Sequence, residues 1–274
     1  KETFKKYQDL FNLGSKTGID LPGEADASTL VYQVDNMGPM DLATNSFGQN
    51  YNCTMVQMAA AFASTINGGY YYEPHIVKQI LNESGSVVKK NARLLVRETV
   101  SASTSDFIRR ALVRTVAEGT GKAAQVAGYE VGGKTGTAEK IPRSAKNYLL
   151  SFCGFAPAYD PQVLVYVTID TPHVEDQPHS TYASGVFSKI MGDILPYLNV
   201  PSVDFETQQN EAAAQLPEAE GITDNSGLTS ETETPEEPKV YETEEYIEPG
   251  DDSDLPEDVP ESTEDGENGG SYVL

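Results

Sequence analysis

The sequence predicts a mixed α/β domain of the α+β kind over residues 1–200, an antiparallel sheet flanked by helices, followed by an acidic tail. Three observations carry this expectation. Residues 129–140, 148–156 and 162–170 are strand-patterned runs joined by connections too short for a helical crossover, so an antiparallel meander is the simplest pairing. Residues 54–66, the run from Ser103 to Gly119, and residues 182–198 place apolar side chains at helical spacing and are long enough to cover a sheet. Charge then divides the chain of 274 residues. Residues 201–274 hold 23 Asp and Glu against the single Lys239, a net of −22 out of −23, which leaves residues 1–200 at −1. The first part is long enough for a real core, whereas the second is rich in Glu, Asp, Pro, Ser and Thr and is predicted to be disordered.

Composition also excludes function classes. A −22 tail with no compensating basic patch argues against nucleic acid and against an anionic membrane surface as partners. Cys53 and Cys153 stand in no metal-ligand or redox spacing and are expected to be buried thiols. The longest apolar runs, 149–158 and 163–167, fall short of the roughly 20 residues of a membrane helix. The chain opens at Lys1 without a signal-peptide pattern, so any membrane anchor is expected upstream. Neither a metal nor an organic cofactor is expected.

Taken in order, Phe4, Tyr7, Leu10 and Phe11 predict a first helix that ends at Asn12-Leu13-Gly14. Lys16-Thr17-Gly18 follows among turn formers, and residues 25–45 read as a loop with short elements. Thr54 and Gln57 are spaced for a reciprocal capping box that opens a helix whose body, Met58 to Ile66, is apolar nearly all round and therefore expected to be buried. Asn67-Gly68-Gly69 ends it. Tyr70 to Leu81 and Ser86 to Lys89 read as two strands of a hairpin turned at Glu83-Ser84-Gly85. Ser103 is the expected cap of the next helix, with Phe107, Ile108, Ala111, Leu112, Thr115 and Val116 as its inward stripe. Its end at Gly119-Thr120-Gly121-Lys122 is not a phosphate loop, because Val116 stands where the first loop glycine is needed and Ala123 where the metal-binding hydroxyl is needed. The closing helix at 182–198 is expected to break or kink at Pro196.

Chemistry concentrates at Gly132-Gly133-Lys134-Thr135-Gly136-Thr137-Ala138-Glu139-Lys140, on the first strand of the meander. Alternation puts Lys134 and Gly136 on one face and Thr135 and Thr137 on the other, and the glycines admit a close backbone. Such a strand can dock an extended peptide along its edge and meet its negative end with an ammonium and two hydroxyl donors. Two decoys are set aside. Lys16-Thr17-Gly18 lacks a strand around it, and Ser86-Val87-Val88-Lys89, the only S-x-x-K match, lies in strand-forming sequence that points Ser86 and Lys89 to opposite faces. His75, His173 and His179 have no base or ligand at motif spacing and read as ordinary histidines, and Asp170 reads as a strand terminator.

K-T-G is also one of three signatures of penicillin-binding proteins. Five further stretches match in the right order: Lys16 to Glu24, Ser46-Phe47-Gly48-Gln49, Gln57 to Gly69, Glu118 to Ala123, and Ser151 to Pro157. Over about 150 residues the chain thus resembles the C-terminal part of the transpeptidase domain of class B penicillin-binding proteins, with Thr54-Met55 where that family usually has Thr-Pro. The resemblance implies the penicillin-binding and serine β-lactamase-like transpeptidase fold, incomplete here because the S-x-x-K helix and the S-x-N loop lie upstream of Lys1 in that family. It implies acyl transfer on the D-Ala-D-Ala end of a peptidoglycan stem peptide through an acyl-serine that β-lactams trap. Lys134 would set the electrostatics around the serine, the Thr135 and Thr137 hydroxyls would hold the carboxylate, the Thr137 amide would give half of the oxyanion hole, and Gly136 would keep the edge open. Implied partners are stem peptides, β-lactams and cell-wall, division or sporulation proteins, on the outer face of the cell membrane. A β-lactam-hydrolysing relative and a non-catalytic scaffold with an acidic interaction tail are the alternatives.

Overall fold

The computed structural model describes residues 1–202. The expected tail lies almost wholly outside the described residues. Five α-helices and seven strands follow one another along them: α1 (Glu2–Leu10), α2 (Pro39–Asn45), α3 (Met55–Ile66), β1 (Tyr70–Tyr72), β2 (Gln79–Leu81), β3 (Val87–Lys90), β4 (Leu95–Glu98), α4 (Ala102–Ala117), β5 (Gly132–Glu139), β6 (Tyr148–Ala156), β7 (Val163–Asp170) and α5 (Thr181–Tyr197). The strands form three separate antiparallel sheets, β1 with β4, β2 with β3, and the meander β5-β6-β7. This is the mixed α/β arrangement that the sequence predicts, and the meander follows its expected order.

The meander is the plate on which the rest is built. Phe152 and Phe155 lie three residues apart on β6 and so face opposite sides. Phe152 packs on Phe187 of α5 with ring centroids 4.8 Å apart, in a core that also takes in Val131, Ala156, Ala183, Met191 and Leu195. Phe155 packs on Ile66 of α3 and Leu112 of α4. Both rings are fully buried, and at ~25 cal/mol per Å² such large apolar surfaces dominate what holds a sheet between helices.

Local chemistry sets the helix ends. Thr54 Oγ1 accepts from the Gln57 amide at 3.2 Å while Gln57 Oε1 accepts from the Thr54 amide at 2.9 Å, the expected reciprocal box. α1 ends as expected, with Asn12 at φ +58° and Gly14 at φ +97°. Lys16-Thr17-Gly18 is a structural clamp: Glu24 accepts from the Thr17 amide and hydroxyl at 2.6 and 2.7 Å and from the Gly18 amide at 3.2 Å. Partial burial pushes the Glu24 carboxyl up, and these three bonds outweigh it and hold the group below its usual range.

Several expectations need correction. Tyr70 to Leu81 is not one strand. It divides at Pro74 into β1 and β2, in different sheets, because Asp20 captures the amides of Ile76 and Val77 at 2.7 and 2.9 Å; β1 pairs instead with β4, which sequence reading missed. α4 is capped by Ser101, which accepts from the Thr104 amide at 3.1 Å, two residues before the expected Ser103. Its stripe is rotated too: Phe107 and Ala111 are exposed, whereas Ser105, Leu112, Val113 and Val116 face inward, since the sheet meets the side defined by Phe155. The body of α3 is half-buried, with only Gln57, Ala61, Ser64 and Ile66 fully enclosed, because its described neighbours cover one side. Pro196 neither breaks nor kinks the chain away from α5; it sits in the last turn, where one lost backbone bond is tolerated and the helix ends one residue later.

Candidate active site

β5 is an edge strand: β6 lies on one side, and no other described strand pairs with its outer side. Its sequence explains how it sits flush on the sheet. A Cβ at Gly132 would run into the Phe155 ring and one at Gly133 into the Phe152 ring, so both buried aromatics slide beneath the strand where side chains are missing. At Gly136 the same space is filled by Ser151 Oγ from the paired residue on β6. The sequence reading gave Gly136 the task of keeping the edge open; the structure adds a packing reason.

Lys134 is exposed and lies opposite Cys153; its Nζ donates to the Thr135 carbonyl at 2.8 Å. Thr137 is exposed opposite Leu150, and Thr135 is half-buried opposite Phe152. Thr135 Oγ1 lies 3.1 Å from Thr120 Oγ1, which reaches β5 from the Gly119-Thr120-Gly121 turn after α4. All four motif residues therefore lie within one continuous edge segment. On the Lys134 face, alternation adds Ser151 and Cys153 of β6 and Tyr166 and Thr168 of β7. Burial pushes the Tyr166 hydroxyl up to about 12, with the Cys53 and Cys153 thiols adding to the effect. Burial also pushes both thiols up, Cys153 furthest, which leaves them without thiolate nucleophilicity at neutral pH. Cys153 is the buried thiol expected, while Cys53 is only half-covered.

The remaining candidates stand apart from this edge. Ser86 is exposed, and its amide donates to Asn82 in the hairpin turn, while Lys89 lies on β3, so the pair is no nucleophile and base. Asp170 ends β7 and accepts from Lys140 Nζ at 2.6 Å, a bond that holds its carboxyl below the usual range. His75 and His173 are exposed; His179 pairs with Asp176 in an exposed loop, a partner the sequence reading did not give it. Among the described residues no His, Cys, Asp or Glu cluster could hold a metal, and no helix is long and apolar enough to cross a membrane. Sequence reasoning missed Thr120, Ser151 and Tyr166. Thr120 and Ser151 did have a signal, since both lie in stretches that carry the family resemblance, but neither was given a site role; Tyr166 had none.

Residues 1–192 match the family "Penicillin binding protein transpeptidase domain". The chain belongs to this family. Stage V sporulation protein D of Bacillus subtilis is 42% identical over 204 residues, covering 73% of this chain and 31% of that protein. The probable peptidoglycan D,D-transpeptidase PenA of Neisseria meningitidis is 32% identical over 204 residues, covering 73% of this chain and 33% of the relative. Among solved structures, penicillin binding protein 3 of Mycobacterium tuberculosis complexed with ampicillin superposes with a TM-score of 0.66 at 30% identity, covering 74% of this chain and 47% of that one. The class B resemblance and the penicillin-binding transpeptidase fold read from the sequence both stand. The chain spans about a third of the length of the curated relatives it matches.

Proposed function

We propose that the full-length penicillin-binding protein to which this chain belongs is a peptidoglycan D,D-transpeptidase. It cross-links stem peptides by acyl transfer through a serine on a segment preceding residue 1, and residues 1–200 supply the strand that receives the substrate. The observation that carries this reading is the placement of Lys134, Thr135, Gly136 and Thr137 on the open edge of β5 in a chain of this family. An extended D-Ala-D-Ala end laid along that edge has its carboxylate within reach of hydroxyl donors and an ammonium, with no metal required.

In this reading the serine attacks the carbonyl before the terminal D-Ala, and its proton leaves through the network that the Lys134 charge polarises. The carbonyl oxygen becomes an oxyanion, stabilised in part by the Thr137 amide. The terminal D-Ala departs with a proton, and the amine of a second stem peptide resolves the acyl-serine. Ampicillin, present in the complex of the tuberculosis relative, is the β-lactam probe of choice. The 42% identity to a sporulation protein favours a role in sporulation over division, on the outer face of the membrane and through an anchor outside this chain.

The test is acylation of the full-length protein by a fluorescent penicillin. Lys134→Ala is expected to abolish labelling while shifting unfolding stability by less than about 0.5 kcal/mol, as for other exposed side chains. Normal labelling by the folded variant removes Lys134 from the mechanism.

A further inference from the structure

We propose that Thr120 is a positioning residue for Thr135: its hydroxyl donates to Thr135 Oγ1 and so leaves the Thr135 proton free for the carboxylate of the substrate or β-lactam. The inference rests on the reading of Thr135 as a carboxylate holder and names what aims it. The two oxygens are 3.1 Å apart, and by distance alone either could donate. Proton inventory decides. Each threonine hydroxyl has one proton, and an ionised carboxylate only accepts. If Thr135 donated to Thr120 it would have nothing to offer the carboxylate. The opposite direction satisfies all three groups, and a bond to a charged acceptor is the stronger of the two competing for the Thr135 proton. Accepting from Thr120 also polarises the Thr135 hydroxyl and makes it a better donor.

The surrounding turn is built to hold Thr120 there. The amides of Gly119 and Gly121 both donate to the Thr115 carbonyl, at 3.1 and 3.0 Å, winding the chain tightly onto the last turn of α4. A Cβ at Gly119 would stand 2.9 Å from that oxygen, too close for a side chain without a shift of backbone, and one at Gly121 3.0 Å, a tight fit. On the far side Gln125 Nε2 donates to the Val116 and Ala117 carbonyls at 3.3 Å, and Ala124 is fully buried in the core. Thr120 is thus the one protruding side chain of a turn pinned at both ends. Its β-branch limits the rotamers available to the hydroxyl.

The experiment measures second-order acylation rates of the full-length protein by ampicillin and by its carboxyl methyl ester. Thr120→Val is expected to slow acylation by ampicillin by about 3- to 10-fold, the loss of one modest hydrogen bond, while Thr120→Ser stays within about twofold of wild type. The Thr120→Val penalty is expected to vanish against the ester, which a merely structural role would not produce. In the double variant with Thr135→Ala, the rate is expected to equal that of Thr135→Ala alone. Full additivity in that cycle, or a wild-type rate for Thr120→Val beside an impaired Thr135→Ala, overturns the proposal. A normal rate for Thr135→Ala overturns the reading of Thr135 itself. Thermal unfolding of each variant accompanies the rates, and Thr120→Ala replaces Thr120→Val if the latter does not fold.

Discussion

At Gly136 one methyl group is too many. Ser151 Oγ from the paired strand already occupies the position a Cβ would take, well inside van der Waals contact, and the next nearest atoms, Ser151 Cβ and the Ser151 carbonyl oxygen, are at 3.7 and 4.0 Å. The clash is therefore with a single hydroxyl. Gly136→Ala is expected to cost about 1–3 kcal/mol, the usual range for overpacking, and adding Ser151→Ala is expected to recover most of it because only the oxygen is in the way. Urea unfolding of the single and double variants checks both numbers. A Gly136→Ala variant as stable as wild type would mean that the Ser151 hydroxyl turns to another rotamer at little cost, with the β5–β6 register kept. The sequence identified Gly136 as necessary but assigned it to the substrate side. What lies under it depends on a residue fifteen positions away, and no local pattern encodes that.

Among the elements, α3 is the one most completely specified by its own residues, and one of its side chains does two jobs. Gln57 is fully buried: its Oε1 accepts from the Thr54 amide at 2.9 Å, while its Nε2 donates to the Ser15 carbonyl and ties the helix start to the loop that precedes Lys16. Gln57→Leu keeps the volume but leaves a helix-end donor and a loop acceptor without partners. It is expected to cost about 2–3 kcal/mol, read as a lower denaturant midpoint at unchanged slope. No change in midpoint would show that water takes over both groups. The capping half of this role was legible from the Thr54–Gln57 spacing. The tie to Ser15 was not, because it joins residues 42 positions apart. α4 shows the converse: its periodicity was plain, but the cap lies at Ser101 and not at the expected Ser103, and packing against Phe155 leaves Phe107 and Ala111 of the expected stripe exposed.

At the scale of the whole molecule, the described residues carry the Lys134-Thr135-Gly136-Thr137 motif on an open strand edge. Ser86 sits in an exposed turn at the tip of a hairpin whose strands pair only with each other, and no other serine of the chain stands in S-x-x-K spacing. Ser151, which shares the Lys134 face, lies beneath Gly136, and its side chain is hydrogen-bonded with Tyr166. The chain expressed alone is therefore expected to take up no covalent penicillin, since acylation needs a hydroxyl, a base within hydrogen-bond reach and an oxyanion hole together. Intact-mass spectrometry after ampicillin treatment checks it. An adduct mapped to Ser86 or Ser151 would move the site.

The sequence by itself determined what is local or periodic: the capping box of α3, the strand pattern and turns of the meander, the edge position of Lys134 as the first member of that meander, and enough ordered motifs to reach the family. Alternation and capping are properties of neighbouring residues, so a single chain displays them. Tertiary structure alone decided the rest. It divided Tyr70 to Leu81 between two sheets through the carboxylate of Asp20, turned Phe107 outward, filled the space at Gly136 with Ser151 and brought Thr120 to Thr135. Each of these depends on a contact between residues at least fifteen positions apart or on which side of a helix meets the sheet, and such choices are fixed only when the elements pack.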